Sequence, residues 1–323
     1  MTVVVTGAAG FIGYHVATAL LAQGERVVGI DSVNDYYDVR LKEARLRRLA
    51  DHKGFAFHRT DIADAETVAA TLVGAGPIRG VIHLAAQAGV RYSLTNPYAY
   101  VHSNLAGQVA VFEAVRALDP MPALVYASSS SVYGGNTKFP FSVADRVDHP
   151  VSLYAATKRG GELLAESYAA AHGMPSVGLR FFTVYGPWGR PDMAYFSFTK
   201  AILAGQPIPV FNEGKLERDF TYIDDIIAGV LAAVNLPTDP ARAHRIYNLG
   251  NNKPEPLLRF IEVIENALGA KAVLDFKPMQ PGDVKATAAD IADSTRDLGF
   301  LPRIGIDEGI PRFVRWYKDY YGV

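Results

Sequence analysis

The chain has 323 residues, 49% hydrophobic and 20% charged, with a formal net charge of −1. That is enough apolar material for one large or two modest cores, and it gives no electrostatic pull toward nucleic acid or an anionic membrane. No cysteine is present, which excludes disulfides, thiolate nucleophiles and cysteine-based zinc sites.

The histidines show no HExxH or i, i+4 pairing, so no metal site is expected. No apolar run approaches the roughly 18 residues of a membrane helix. The first working motif begins at Thr6, too early to leave room for a signal peptide, and the cytoplasm is the expected compartment.

Residues 2–6 (TVVVT) form a β-branched run that reads as a buried strand. A Gly-rich turn follows, then an amphipathic helix over 11–23 with Gly24 behind it as a cap. RVVGID at 26–31 is the next strand. The basic cluster Arg40, Lys42, Arg45, Arg47 and Arg48, with Glu43 inside it, reads as a solvated helix face. Further strands are expected at 55–59, 80–83, 123–127 and 176–180. Helices are expected from about residue 64, over about 97–118 and over about 152–172.

Strands alternating with helices in this way mean βαβ units. The fold class is therefore α/β, a doubly wound parallel sheet covered on both faces. After about Thr183 the alternation loosens and Gly and Pro become dense. This predicts a dinucleotide-binding domain over 1–183 and a smaller mixed substrate domain over 184–323. Segments such as 218–250, including a strand at 245–249, are expected to return to the first domain.

The turn at residues 6–13 (TGAAGFIG) places glycines at 7, 10 and 13 between a strand and a helix. Gly7 permits the tight turn, Gly10 lets backbone N–H groups approach a pyrophosphate, and Gly13 lets the helix pack on the strand. The helix N-terminus, at Phe11 and Ile12, then favours an anion. Asp31 ends the second strand, where a carboxylate accepts from ribose hydroxyls and repels a 2′-phosphate, which favours NAD. The bland alternative is a Gly-rich turn with an unrelated surface Asp; strand, helix and acid together argue against it.

Tyr154 and Lys158 stand four apart at the start of an expected helix and so share a face. A phenol ionises near ~10, too high for a base at neutral pH. A neighbouring ammonium and the positive nicotinamide ring both favour the phenolate. A hydroxyl donor is also needed, and the fifth strand ends in Ser128, Ser129, Ser130 and Ser131. A YxxxK pair alone is common by chance; the upstream fingerprint and the Ser-rich strand end give it weight.

These residues resemble the extended short-chain dehydrogenase/reductase family. The likeness spans essentially the whole chain: TGAAGFIG at 6–13, HLAAQAGVRYS at 83–93, SSSSVYG at 128–134, YAATK at 154–158, RFFTVYGPWGRPDMA at 180–194 and RDFTYIDD at 218–225. Within that family GIDSVNDYYDVRLK at 29–42 and PMQPGDVKAT at 278–287 look like the group of UDP-glucuronate 4-epimerases.

The resemblance implies an NAD-dependent isomerase that carries a UDP-sugar through a 4-keto intermediate. Tyr154 is implied as the base, Lys158 as its partner and Ser129 as the hydroxyl, with Ser128 and Ser130 as possible helpers. Asp61 and Ile62 are implied to bind adenine, with Leu84, Ala85 and Ala86 along the pyrophosphate and Asn104 near the nicotinamide ribose. Arg218 would pair with the UDP diphosphate, Phe211 pack on uracil and Asp283 touch the nucleotide ribose. A surface ion pair with Glu217 or Asp219 is the alternative for Arg218.

Two departures narrow the choice. Dehydratases and decarboxylases of the family carry an acid just after the catalytic hydroxyl; residues 128–131 hold none. Galactose-type epimerases typically have Asn where Thr183 stands, and Thr183 with Arg190 suits a C6 carboxylate, with Arg91 adding charge. The alternative for Arg190 is a brace for its own Gly/Pro-rich loop.

UDP-glucose/UDP-galactose 4-epimerisation is the second reading, and a non-catalytic NAD-sensing protein on the same fold is the third. The resemblance also implies a homodimer through the helices at 97–118 and 152–172. The second of these offers Ala155, Ala156, Ala165, Ala169, Ala170 and Ala171 for close contact.

Overall fold

The computed structural model describes residues 1–237, 239–279 and 284–323. In its first half, β1 (Thr2–Thr6), α1 (Phe11–Ala22), β2 (Arg26–Asp31), α2 (Val39–Ala50), β3 (Phe55–Arg59), α3 (Ala65–Gly74) and β4 (Ile78–His83) alternate without interruption. Then come α4 (Tyr92–Thr95), α5 (Pro97–Val101), a π-helical turn (His102–Ala106), α6 (Gly107–Arg116), β5 (Ala123–Ser129), α7 (Leu153–His172) and β6 (Ser176–Phe181). Local chemistry sets the helix starts. The Asp64 carboxylate accepts from Thr67 N–H to cap α3, and the Ser152 hydroxyl accepts from Ala155 N–H to cap α7. Gly173, in the left-handed region, closes α7.

The second half contributes β7 (Thr183–Tyr185), α8 (Ala194–Leu203), β8 (Pro207–Phe211), β9 (Glu217–Tyr222), α9 (Ile223–Val234) and β10 (His244–Leu249). After these come β11 (Pro254–Pro256), α10 (Leu257–Leu268), β12 (Val273–Lys277), α11 (Ala292–Leu298) and α12 (Ile306–Tyr321). The main sheet has seven parallel strands in the order β10-β6-β5-β4-β1-β2-β3. The strand expected at 245–249 therefore does return to it, on the edge beside β6. A small mixed sheet (β11-β9-β7) and the parallel pair β12-β8 are separate from the main sheet, and β7, β8 and β9 come before β10 in the chain.

Side chains alternate across β1 as a two-residue period requires. Val3 and Val5 join one core with Leu20, Ile226, Val230 and Phe313, while Val4 joins the other with Val28, Val81, Phe112 and Leu124. The first core thus runs without a break from residues before 183 to residues after it. Among the described residues no helix is long and apolar enough to cross a membrane.

Three local expectations change. The single helix foreseen over 97–118 is α5, a π turn and α6 in succession, preceded by the short α4. The wider turn carries Asn104, whose amide is tied to the Gln87 backbone. The basic cluster is a solvated face only in part: Arg40, Arg47 and Arg48 are exposed as expected, but Arg45 is fully buried and Lys42 is 6% exposed. Of the alanines on α7, Ala155 and Ala165 are buried inside the fold rather than presented on an outer face.

Candidate active site

A cleft of about 940 Å³ opens where the carboxyl ends of β1 to β6 converge. This is where a doubly wound sheet presents its ligand site. Gly7, Gly10, Phe11, Ile12 and Gly13 line one end. Gly7 has φ +74°, and a Cβ there would fall 2.7 Å from Ala85 N; a Cβ on Gly13 would fall 2.0 Å from Gly7 O. The turn is therefore closed to any larger residue at both positions. Helix α1 begins with no side-chain cap, so its first N–H groups are left to an incoming anion.

Asp31 lies beside this turn, its Oδ2 accepting from Ala9 N–H (3.0 Å) and its Oδ1 from Val33 N–H (2.8 Å). The carboxylate is fixed by the backbone and still lines the cleft. Asp61 and Ile62 line it from the end of β3, and Asp61 also meets His102 Nε2 at 2.9 Å. Leu84, Ala85 and Ala86 line the facing wall. A turn closed to side chains, an uncapped helix start and a fixed carboxylate together fit an NAD adenosine diphosphate.

Asn104 does not reach the cleft. It is buried one layer behind, accepting from Gln87 N–H and donating to Gln87 O and Thr157 Oγ1 at 2.8, 3.0 and 3.0 Å. It holds Gln87, which does line the cleft.

At the other end the cap on α7 places Tyr154 in the first turn and Lys158 one turn on, and both line the cleft. Burial pushes the Tyr154 phenol up, while a hydrogen bond with Ser129 and the charge of Arg190 pull it back. The edge of Tyr100 packs on its ring, centroids 6.1 Å apart. Lys158 donates to Ala127 O at 2.9 Å. Burial pulls its ammonium down to about 8, with Glu162 opposing.

The serines at the end of β5 part company. The Ser129 hydroxyl donates to Ser131 Oγ and accepts from Ser131 N–H, each at 3.2 Å, and stands close enough to Tyr154 to influence its phenol. Ser128 donates at 2.6 Å to the buried Glu162 carboxylate, which also pairs with Arg180 at 2.8 and 2.9 Å. Successive strand residues point to opposite faces; Ser128 still lines the cleft, but its hydroxyl is committed to this buried network. Ser130 borders the cleft.

Thr183 and Arg190 line the same cleft. Arg190 Nε and Nη2 donate to the two oxygens of Asp192 at 3.1 and 2.5 Å, and Tyr36 donates its hydroxyl to Asp192 Oδ2 at 3.1 Å. Burial opposes the Arg190 charge, and Asp192 more than offsets it. The burial of Asp192 works against its own charge, but Arg190 and Tyr36 hold the carboxyl below its ordinary range. Tyr36 and Asp192 were not singled out from sequence, although both fall inside quoted motifs; nothing in their spacing links residues so far apart in the chain.

Arg218 lines the cleft and donates to Glu217 O (2.9 Å) and Lys285 O (3.2 Å). The neighbouring Asp219 carboxylate is buried and accepts from the N–H groups of Asn251, Asn252 and Ala289. Two expected contacts lie elsewhere. Arg91 and Phe211 do not line the cleft; the Arg91 guanidinium sits 5.3 Å from the Phe211 ring centroid. The segment after β4 thereby approaches the end of β8, with the Arg91 charge over the face of the Phe211 ring. Asp283 lies outside the described residues.

Comparison with known proteins agrees with this geometry. UDP-glucuronate 4-epimerase 4 of Arabidopsis thaliana is 49% identical over 99% of this chain and 76% of its own length. The crystal structure of UDP-glucuronic acid 4-epimerase from Bacillus cereus, in complex with UDP-glucuronic acid and NAD, superposes with a TM-score of 0.92 at 34% identity, covering 99% of this chain and 100% of that one. UDP-glucose 4-epimerase from Thermotoga maritima, with UDP-glucose, matches at 0.89 and 26% identity, over 99% of this chain and 100% of that one. The signature of the NAD dependent epimerase/dehydratase family matches residues 3–250. With the glycine turn, the fixed Asp31 and the Ser129, Tyr154 and Lys158 group in one cleft, the chain belongs to the NAD dependent epimerase/dehydratase family.

Proposed function

We propose that the chain is an NAD-dependent UDP-sugar 4-epimerase that interconverts UDP-glucuronate and UDP-galacturonate. The observation that carries this reading is the presence of Thr183 and Arg190 in the same cleft as Ser129, Tyr154 and Lys158. A hydroxyl and a guanidinium fork there suit a sugar carboxylate.

Bound NAD+ supplies an acceptor for the hydrogen on C4 of the sugar and a source for its return. The residues then have separate tasks. Tyr154, as phenolate, takes the O4 proton and gives it back; Ser129 donates to O4; Lys158 supplies positive charge beside the phenol. Arg218 holds the diphosphate, so that binding energy far from C4 positions the reacting carbon. The 4-keto hexose turns over while the diphosphate stays anchored, and C4 presents its other face. No carboxylate stands among residues 128–131, which leaves epimerisation without elimination of water. Asn104 acts through Gln87 on the cofactor side.

Residues 1–183 then serve chiefly the cofactor and 184–323 the UDP-sugar, with β10 crossing back. The protein works in the cytoplasm as a homodimer. An apolar trough on the outer face, lined by Leu105, Val109, Gly160, Leu163 and Leu164, supports pairing with a second copy.

The decisive test is incubation of the purified protein with UDP-glucuronate and no added cofactor, with products separated by chromatography. A mixture of the two uronates is expected. Conversion of UDP-glucose but not UDP-glucuronate favours the galactose-type reading, and no conversion of either favours a non-catalytic protein.

A further inference from the structure

Arg190 is already engaged in the structure: Asp192, two residues on in the same loop, takes its Nε and Nη2 side-on and leaves the Nη1 end out of that pair. Asp192 is held from a second part of the chain. Tyr36, between β2 and α2, donates to it, and the Tyr36 ring packs against Tyr92 with centroids 4.9 Å apart. A side-on pair of this kind is what a uronate carboxylate would itself make with the guanidinium.

The proposed reaction sets a demand on that contact, and the inference rests on the UDP-glucuronate reading. With the diphosphate anchored, the 4-keto hexose must turn over to show the opposite face of C4. The C6 carboxylate moves with it, so its ion pair with Arg190 breaks and re-forms in each turnover. Stripping one partner from a half-buried pair is costly, because the remaining charge is neither solvated nor paired. A protein carboxylate within reach turns that loss into an exchange.

We propose that Asp192 is a resident stand-in for the substrate carboxylate: it takes the Arg190 fork while the hexose turns over, and Tyr36 keeps it placed to do so. The stand-in competes with the uronate in the ground state and lowers the barrier to its release. It weakens binding and speeds turnover together.

The test is Asp192→Asn, which keeps the shape and loses the charge. Without a competing carboxylate, the calorimetric Kd and the KM for UDP-glucuronate are expected to fall by about tenfold. The kcat should fall by a comparable factor, leaving kcat/KM little changed. The Kd for UDP-glucose, which has no carboxylate, should not move. Tyr36→Phe, which only frees Asp192, should shift Kd and kcat in the same directions by less. A lower kcat with a KM that rises or stays put means Asp192 merely braces its loop, and the proposal fails. A parallel change in UDP-glucose binding overturns it equally. The parent chain is assayed alongside: if it does not convert UDP-glucuronate, the functional reading itself is lost, whatever the variants do.

Discussion

Tyr154 and Lys158 show what a short spacing can announce. Four residues apart on a helix, they must share a face, and the Ser152 cap fixes where that helix starts. Replacing Tyr154 with Phe removes the phenolic hydroxyl, the proposed acid–base group, but not the ring. Turnover should drop by roughly a thousandfold with the cofactor still bound, as measured by epimerisation rate and by cofactor released on denaturation. Arg190→His should let some of the 4-keto uronate, a β-keto acid, lose CO2, so that UDP-pentose products appear on chromatography; an unchanged product ratio counts against the carboxylate role. Direction was harder to foresee than position. Ser128 and Ser129 are neighbours in sequence, yet one hydroxyl goes to the buried Glu162 and the other stays on the tyrosine side, bonded to Ser131. Asn104 lies near the cofactor end but its amide is consumed by Gln87 and Thr157. Hydrogen-bond partners of this kind come from distant segments, and no local pattern marks them.

Helix α2 carries a lesson at the scale of elements. Its basic residues looked like a wet surface, but Arg45 projects inward and its guanidinium donates to Ala9 O (2.8 Å), Tyr37 Oη (2.7 Å), Trp188 O (2.5 Å) and Gly189 O (3.1 Å). It ties the glycine turn to the loop that carries Arg190. Arg45→Met leaves these buried carbonyls unpaired and should destabilise the fold by about 3 kcal/mol. It should also loosen cofactor and raise the KM for the uronate together, which denaturant titration and kinetics will read. The glycine turn itself is less forgiving. Gly7→Ala puts a methyl into the Ala85 backbone at a positive φ, and no cofactor-loaded protein is expected on purification. The π turn inside the otherwise continuous helix over 97–116 was hidden because no Pro or Gly pair stands at residues 102–106 to announce it.

Over the whole molecule, two histidines couple stability to pH. Burial pushes His15 down to about 4 and His83 down to about 3, from 6.5. His15 Nε2 donates to Pro187 O at 2.9 Å, and His83 Nδ1 meets Thr6 Oγ1 at 2.7 Å. Below 6.5 the unfolded chain binds protons that the folded chain refuses. Their contribution is therefore intact above 6.5 and is lost as pH falls toward 4 and then 3. The melting temperature should fall across that window, and His15→Gln, which can still donate to Pro187, should flatten its upper part. Assembly is the other property at this scale. Leu163 is 54% exposed on the outer face of α7. Leu163→Glu is expected to leave a monomer by light scattering, against a dimer for the parent.

What the sequence determined by itself was whatever depends on near neighbours: the βαβ alternation, the glycine turn, the acid ending β2 and the helix that pairs Tyr154 with Lys158. Each follows from backbone sterics and fixed helical or strand periods. What only the tertiary structure decided was how residues far apart in the chain meet. It turned Arg45 inward, sent Ser128 to Glu162, set Arg91 against Phe211 rather than in the cleft, and put Tyr36 on Asp192 beside Arg190. Those pairings satisfy buried polar groups and fill space, two demands that exist only once the chain is packed.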